Sequence, residues 1–122
     1  MTADDREDII ARLSTAFGGV QDVTPATDQP LHVLLPQLEL PDPWRPSPTR
    51  ALAVWRNWPA ERPQFVIDEG VVGENGEPPR SNDLVYLLGE GWRSFSFSFS
   101  WKGDDPVQAV QMWMTRFVVE RG

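Results

Sequence analysis

Pro59 and Pro63 bracket a short stretch between two strand-like runs, and this is the feature that most narrows what the chain can fold into. In the first run, Ala51, Ala53 and Trp55 fall on one face and Leu52 and Val54 on the other; Phe65, Val66 and Ile67 form the apolar heart of the second. The connection between them contains Trp58-Pro59-Ala60-Glu61-Arg62-Pro63. Each proline fixes φ and deletes a backbone donor, so a hydrogen-bonded ladder cannot run through them and the chain must turn. Residues Arg50 to Val72 therefore read as a pair of strands on which the other elements are built.

The ends of the chain read as helices. From Thr2 to Phe17, Ile9, Leu13, Ala16 and Phe17 share a face, with Ile10 at its margin. Asp4, Asp5, Glu7 and Asp8 crowd the first turns, where negative charge suits the helix dipole, and Gly18-Gly19 supplies a stop. A second helix spans Pro106 to about Glu120, with Asp105 as N-cap, Pro106 at the first helical position and Gln108 where a capping-box partner belongs. Val107, Val110, Met114, Phe117 and Val118 make its apolar stripe, with Trp113 beside it.

Between the helices, Val20 to Pro30 reads as a surface loop. Leu31 to Leu40 reads as a strand interrupted at Pro36, hence an edge or bulged strand. Pro41 to Pro48 holds four prolines in eight residues and cannot join a sheet interior. Its Trp44 and Arg45 form either an exposed binding loop or a stiff connection that packs Trp44 onto the core. Gly73 to Asp83 reads as a loop, Asp83 to Leu88 as a short apolar segment, and Gly89-Glu90-Gly91 as a break. Arg93 to Trp101 alternates serine (94, 96, 98, 100) with Phe95, Phe97, Phe99 and Trp101, the pattern of a half-buried strand. The fold class that follows is α+β: an N-terminal helix, a four-stranded antiparallel meander sheet and a C-terminal helix, in a single domain over residues 1–122.

Composition excludes several function classes. The chain has no cysteine, so disulfides, thiolate metal sites and cysteine nucleophiles are out. His32 is the only histidine, without a second histidine or cysteine to complete a metal site, and nothing calls for a cofactor. The net charge of −7, with Lys102 the single lysine and arginines scattered along the chain, disfavours nucleic acid and anionic lipid as partners. No apolar run approaches the length of about 20 residues that spans a bilayer, and the acidic start is unlike a signal peptide, so a cytoplasmic location is expected. A serine nucleophile at Ser96 or Ser98 would need His32 as base and an acid such as Asp68, and no G-x-S-x-G elbow is present.

The Trp58-Pro59 turn followed by Arg62-Pro63 and Phe65 resembles the Y-P-x-x-P-P-x-[VF] turn of the ubiquitin-conjugating (UBC-like) fold. Trp101 followed by Asp104-Asp105-Pro106 is similar to that family's W-[ST]-P segment. Leu35–Pro41 (LPQLELP) and Tyr86 with Glu90-Gly91-Trp92 are most similar to small bacterial members, over about Asp4 to Glu120. The resemblance implies the helix–meander–helix order read above. It also implies a catalytic cysteine in or near Arg93–Ser100, where this chain has only Phe and Ser, and an H-P-N segment that is absent, although Asn82 precedes that region. An oxyester on Ser96 or Ser98 is one outcome of that departure. The one preferred is a conjugating-enzyme-like module without a nucleophile, which binds a ubiquitin-like protein, an activating enzyme or another partner enzyme. Trp44, Trp58, Arg62 and Trp92 are then the expected contact residues, because tryptophan and arginine dominate binding hot spots. An adaptor or immunity-type protein that neutralises a basic partner fits the acidic charge equally.

Overall fold

The computed structural model describes residues 1–80, 82–95 and 103–119, with the side chain of Phe95 excepted. Helix α1 (Ala3–Phe17) is followed by strands β1 (Gln21–Asp22), β2 (Leu31–Leu38), β3 (Thr49–Trp55), β4 (Gln64–Asp68), β5 (Asn82–Leu87) and β6 (Glu90–Phe95), then helix α2 (Pro106–Val119). The six strands form one antiparallel sheet in the order β1-β2-β3-β4-β6-β5.

The α+β class and the two terminal helices agree with the sequence, but the four-stranded meander does not. Two strands are added, and the order is not a simple meander. β1 is a two-residue strand in a segment too polar to register as one. β5 and β6 form a hairpin in which β6, not β5, pairs with β4, through Ile67 opposite Arg93 and Asp68 opposite Trp92. The break expected at Gly89-Glu90-Gly91 is only the tight turn of that hairpin. Leu87 and Glu90 are opposite each other, leaving Leu88 and Gly89 as the loop, at φ 54° and 75°. Positive φ at both positions is the signature of a type I′ turn, whose twist suits a two-residue hairpin.

Local chemistry explains the elements. Thr2 caps α1: its hydroxyl accepts from the Asp5 amide at 3.1 Å, and the Asp5 carboxylate accepts from the Thr2 amide at 2.8 Å. Gly18, at φ 69°, ends the helix and donates its amide to the Ser14 carbonyl. At α2 the Asp105 carboxylate accepts from the Val107 amide at 3.0 Å, as an N-cap should. Pro36 sits where the β2–β3 register shifts between Leu35 and Leu38, and β1 covers only Val33 and Leu34 on the other side of β2. The proline's missing donor therefore costs the sheet no ladder bond on that side.

Both helices pack on one face of the sheet. Ile9 and Leu13 of α1 and Ala109, Val110, Trp113 and Phe117 of α2 meet Leu31, Val33, Leu35, Ala51, Ala53, Trp55, Phe65 and Ile67. The opposite face carries a smaller cluster of Leu52, Val54, Val66 and Trp92, flanked by Val23, Leu34, Val85 and Leu87. β3 is thus buried on both faces from Ala51 to Trp55, which is why its sequence is a continuous apolar run.

Candidate functional site

The tryptophans expected at a binding surface belong to the interior. Trp44 is 2 % exposed; its indole N–H donates to the Phe117 carbonyl at 2.8 Å and its ring meets Phe117 edge-on at 5.2 Å. The proline-rich segment is therefore the stiff connection that packs Trp44 onto α2. Trp58 is 9 % exposed and lies edge-on to Trp55 at 5.0 Å. Trp92 is 1 % exposed, donates to the Leu87 carbonyl and lies under the Arg50 guanidinium, 4.3 Å from the ring centroid. A partner cannot touch these rings without opening the fold, because all three are anchors of the two apolar clusters. Of the four expected contacts only Arg62, in the exposed β3–β4 connection, lies at the surface.

The polar groups considered for catalysis are apart and committed elsewhere. His32 faces Val54, and Val54 faces Gln64, four residues before Asp68. Two strand spacings of about 4.8 Å and four residues of about 3.3 Å rise put the His32 and Asp68 backbones about 16 Å apart. His32 Nδ1 lies 2.7 Å from the Pro30 carbonyl, an acceptor only, so Nδ1 is the nitrogen that carries the proton. Asp68 accepts from Arg50 Nε at 2.6 Å and from the Gly70 amide at 2.8 Å. Burial pushes the Asp68 carboxyl up, but the Arg50 hydrogen bond, the Gly70 amide and the Arg50 charge together outweigh it and hold its pKa below the ordinary 3.8. Arg50 is raised in turn, chiefly by its hydrogen bond to Asp68, and its Nη1 also reaches Glu90 at 2.7 Å. This cluster ties β3, β4 and β6 together above Trp92. Ser96 and Ser98, together with Phe97, Phe99 and Trp101, lie outside the described residues. Asn82, the only asparagine near that region, donates to the Pro79 carbonyl and accepts from Arg93 Nη1 at 2.7 Å. Among the described residues no group of three or more His, Asp or Glu side chains is placed to hold a metal ion.

What the sheet does expose is its β5 edge. Leu84 is 43 % exposed, Tyr86 72 % and Leu88 40 %, three of the largest apolar side chains at the surface. Val85 and Leu87, the alternating set, pack against the cluster around Trp92. The hairpin geometry also settles which backbone groups face outward. Because Leu87 and Glu90 close a two-residue type I′ loop, they form a hydrogen-bonded pair, and so do Val85–Trp92 and Asp83–Ser94 by alternation. Leu84 and Tyr86 fall at the intervening positions, so their N–H and C=O groups point away from β6. They offer two donors and two acceptors about 6.8 Å apart along the strand. Among the described residues no other strand pairs with β5. The sequence signal for this surface is the run Leu84–Leu88, in which apolar residues continue through positions that alternation assigns to both faces.

Comparison of the chain with protein-family models, with curated proteins and with solved structures returns no match.

Proposed function

We propose that this chain is a non-catalytic module that binds another protein, acting in the cytoplasm, and that the exposed edge strand β5 is part of the surface it uses. The observation that carries this reading is the exposure of Leu84 and Tyr86 on one face of β5, a strand that among the described residues pairs only with β6, with exposed Leu88 in the adjoining turn. Leu88 adds weight. A leucine at φ 54° carries a conformational cost that asparagine or glycine would avoid, and its side chain is 40 % exposed. Unprotected apolar edges promote association, and proteins blunt them with lysine, proline or bulges unless a partner uses them. β5 has none of these devices.

The resemblance of the Trp58-Pro59 to Phe65 turn to conjugating enzymes favours a ubiquitin-like protein or a partner enzyme of such a system as the binding partner. With no cysteine anywhere in the chain, a thioester cannot form on it. The acidic charge favours instead, or in addition, a basic partner, in the manner of an adaptor or immunity protein.

The test is affinity capture from the native host's extract with the wild-type chain and with a Leu84→Ser/Tyr86→Ser variant. The reading expects a protein partner at near-equal molar ratio on the wild type, identified by mass spectrometry, and its loss from the variant at unchanged melting temperature. Equal recovery by both would remove β5 from the binding surface. Recovery of no protein, combined with turnover of a small-molecule ester or amide that Ser98→Ala abolishes, would overturn the non-catalytic reading.

A further inference from the structure

We infer that β5 accepts an extended segment of a partner protein as an added antiparallel strand, and that this segment alternates apolar residues with lysine or arginine. The inference rests on the protein-binding reading above and names the mode and chemistry of the contact. Three features carry it.

First, the outward N–H and C=O groups of Leu84 and Tyr86 are main-chain groups at ladder spacing, and what satisfies them in register is another strand. Second, the side chains beside those groups are apolar and on one face, so residues of the incoming strand opposite Leu84 and Tyr86 bury apolar area there. Third, the Asp83 face of this edge is acidic, carrying Asp83, Asp68 and Glu90 against Arg50, whereas two cations, Arg80 and the Arg116 that donates to its carbonyl at 2.7 Å, stand at the start of β5. The end of β4 and the β5–β6 hairpin carry Asp68, Glu69, Asp83 and Glu90 against Arg93 and the neighbouring Arg50. Arg50 is consumed by Asp68 and Glu90, and Arg93 is turned to the Asn82 side chain and the Glu69 carbonyl. Asp83 is exposed on the face opposite Leu84 and Tyr86. Among the described residues Asp83 takes part in no ion pair. A strand bearing cations beside its apolar residues completes this edge. A second copy of the chain, at net charge −7, brings like charge to it instead.

Proline substitution isolates the main-chain contribution. The Leu84 N–H faces away from β6, so Leu84→Pro deletes an outward donor without removing a ladder bond, a setting in which a strand tolerates proline. The probe is an end-blocked Val-Lys-Val-Lys-Val-Lys-Val peptide, titrated into the isotope-labelled full chain and followed by amide NMR. The same peptide with glutamate in place of lysine is the control. Saturable shifts are expected at Leu84, Tyr86 and their β6 neighbours, weakened about tenfold or more by Leu84→Pro, by Asp83→Lys and by the glutamate peptide. The thermal midpoint of Leu84→Pro is measured alongside; a Leu84→N-methyl-leucine chain made by ligation removes the same donor if proline unfolds the hairpin.

Absence of binding, or binding that Leu84→Pro and the N-methyl variant leave unchanged, overturns strand addition. A sedimentation profile showing the free chain as a dimer that the same substitutions dissolve overturns the basic-segment assignment in favour of a second copy. If strand addition fails while the affinity capture described above still returns a partner lost from Leu84→Ser/Tyr86→Ser, the protein-binding reading stands and only its mode is wrong.

Discussion

Arg50 holds together the face of the sheet that no helix covers. Its guanidinium reaches carboxylates on β4 and on β6 and lies over the Trp92 ring. Replacing it with alanine leaves Asp68 half-buried without its cation and uncovers the indole. The expected loss is about 1–2 kcal/mol, discounted from a fully buried pair because both side chains are more than a quarter exposed, read by urea denaturation. Lysine restores the charge but not the two-directional geometry, so Arg50→Lys should recover less than half of that loss. The pH dependence follows from the lowered Asp68 pKa. A carboxyl whose folded pKa lies below its unfolded value contributes stability that is fully present above 3.8 and is lost as pH falls through the folded value. Asp5, lowered by the hydrogen bonds from the Thr2 amide and hydroxyl, acts in the same window. Denaturation midpoints should therefore fall below about pH 4, and Asp68→Asn should flatten that fall. Trp58 tests the placement of the indoles. Trp58→Ala should cost about 3 kcal/mol, the low end for a large aromatic, because 9 % of it remains exposed. Were it instead a surface contact, its removal would leave the melting temperature unchanged.

At the scale of elements, the helices and the central strands are plain in the sequence, because their signals are local. Thr2, Asp105, Pro106 and Gly18 are cap residues in cap positions, and the 3.6-residue apolar period selects Ile9, Leu13, Val110 and Phe117 as core, although the same stripes include Ala16 and Val118, which are exposed, and set the buried Trp113 only beside them. β1 is invisible because two residues carry no period. The identity of β5 as the edge is invisible for a different reason. Asp83 to Leu88 and Ala51 to Trp55 are both apolar on alternate faces, yet the second is buried on both sides and the first on one. Nothing within either segment states which strands will flank it; that depends on the β4–β6 pairing, a contact between segments distant in sequence. The indoles misled for a related reason: an isolated tryptophan in a proline-rich or turn segment has the same sequence signature whether it packs inward or stands out. The β5–β6 turn makes its own prediction. Leu88→Asn creates Asn-Gly at a type I′ turn and should raise stability by about 1 kcal/mol, seen as a higher urea midpoint, because asparagine accepts positive φ at little cost. If Leu88 also contacts a partner, the same substitution weakens capture of that partner while stabilising the free chain.

Over the whole molecule, the two faces of the sheet divide the work. The helix-covered face supplies the main core, with Trp55, Phe65, Trp113, Phe117 and Trp44 linked in that order by ring contacts. The other face is closed by Trp92 and Arg50, and among the described residues the sheet ends at β5, whose outward Leu84 and Tyr86 backbone groups meet no further strand. Among the described residues no helix is long and apolar enough to cross a membrane. The proposed use of β5 depends on that edge being open in the free protein. Amide hydrogen exchange of the isolated chain, followed residue by residue, tests this most directly. The account predicts fast exchange at Leu84 and Tyr86 beside slow exchange at Asp83 and Val85, whose amides bond to β6. Slow exchange at Leu84 and Tyr86 in the free chain would mean that the edge is already paired, and would contradict β5 as a surface waiting for a partner.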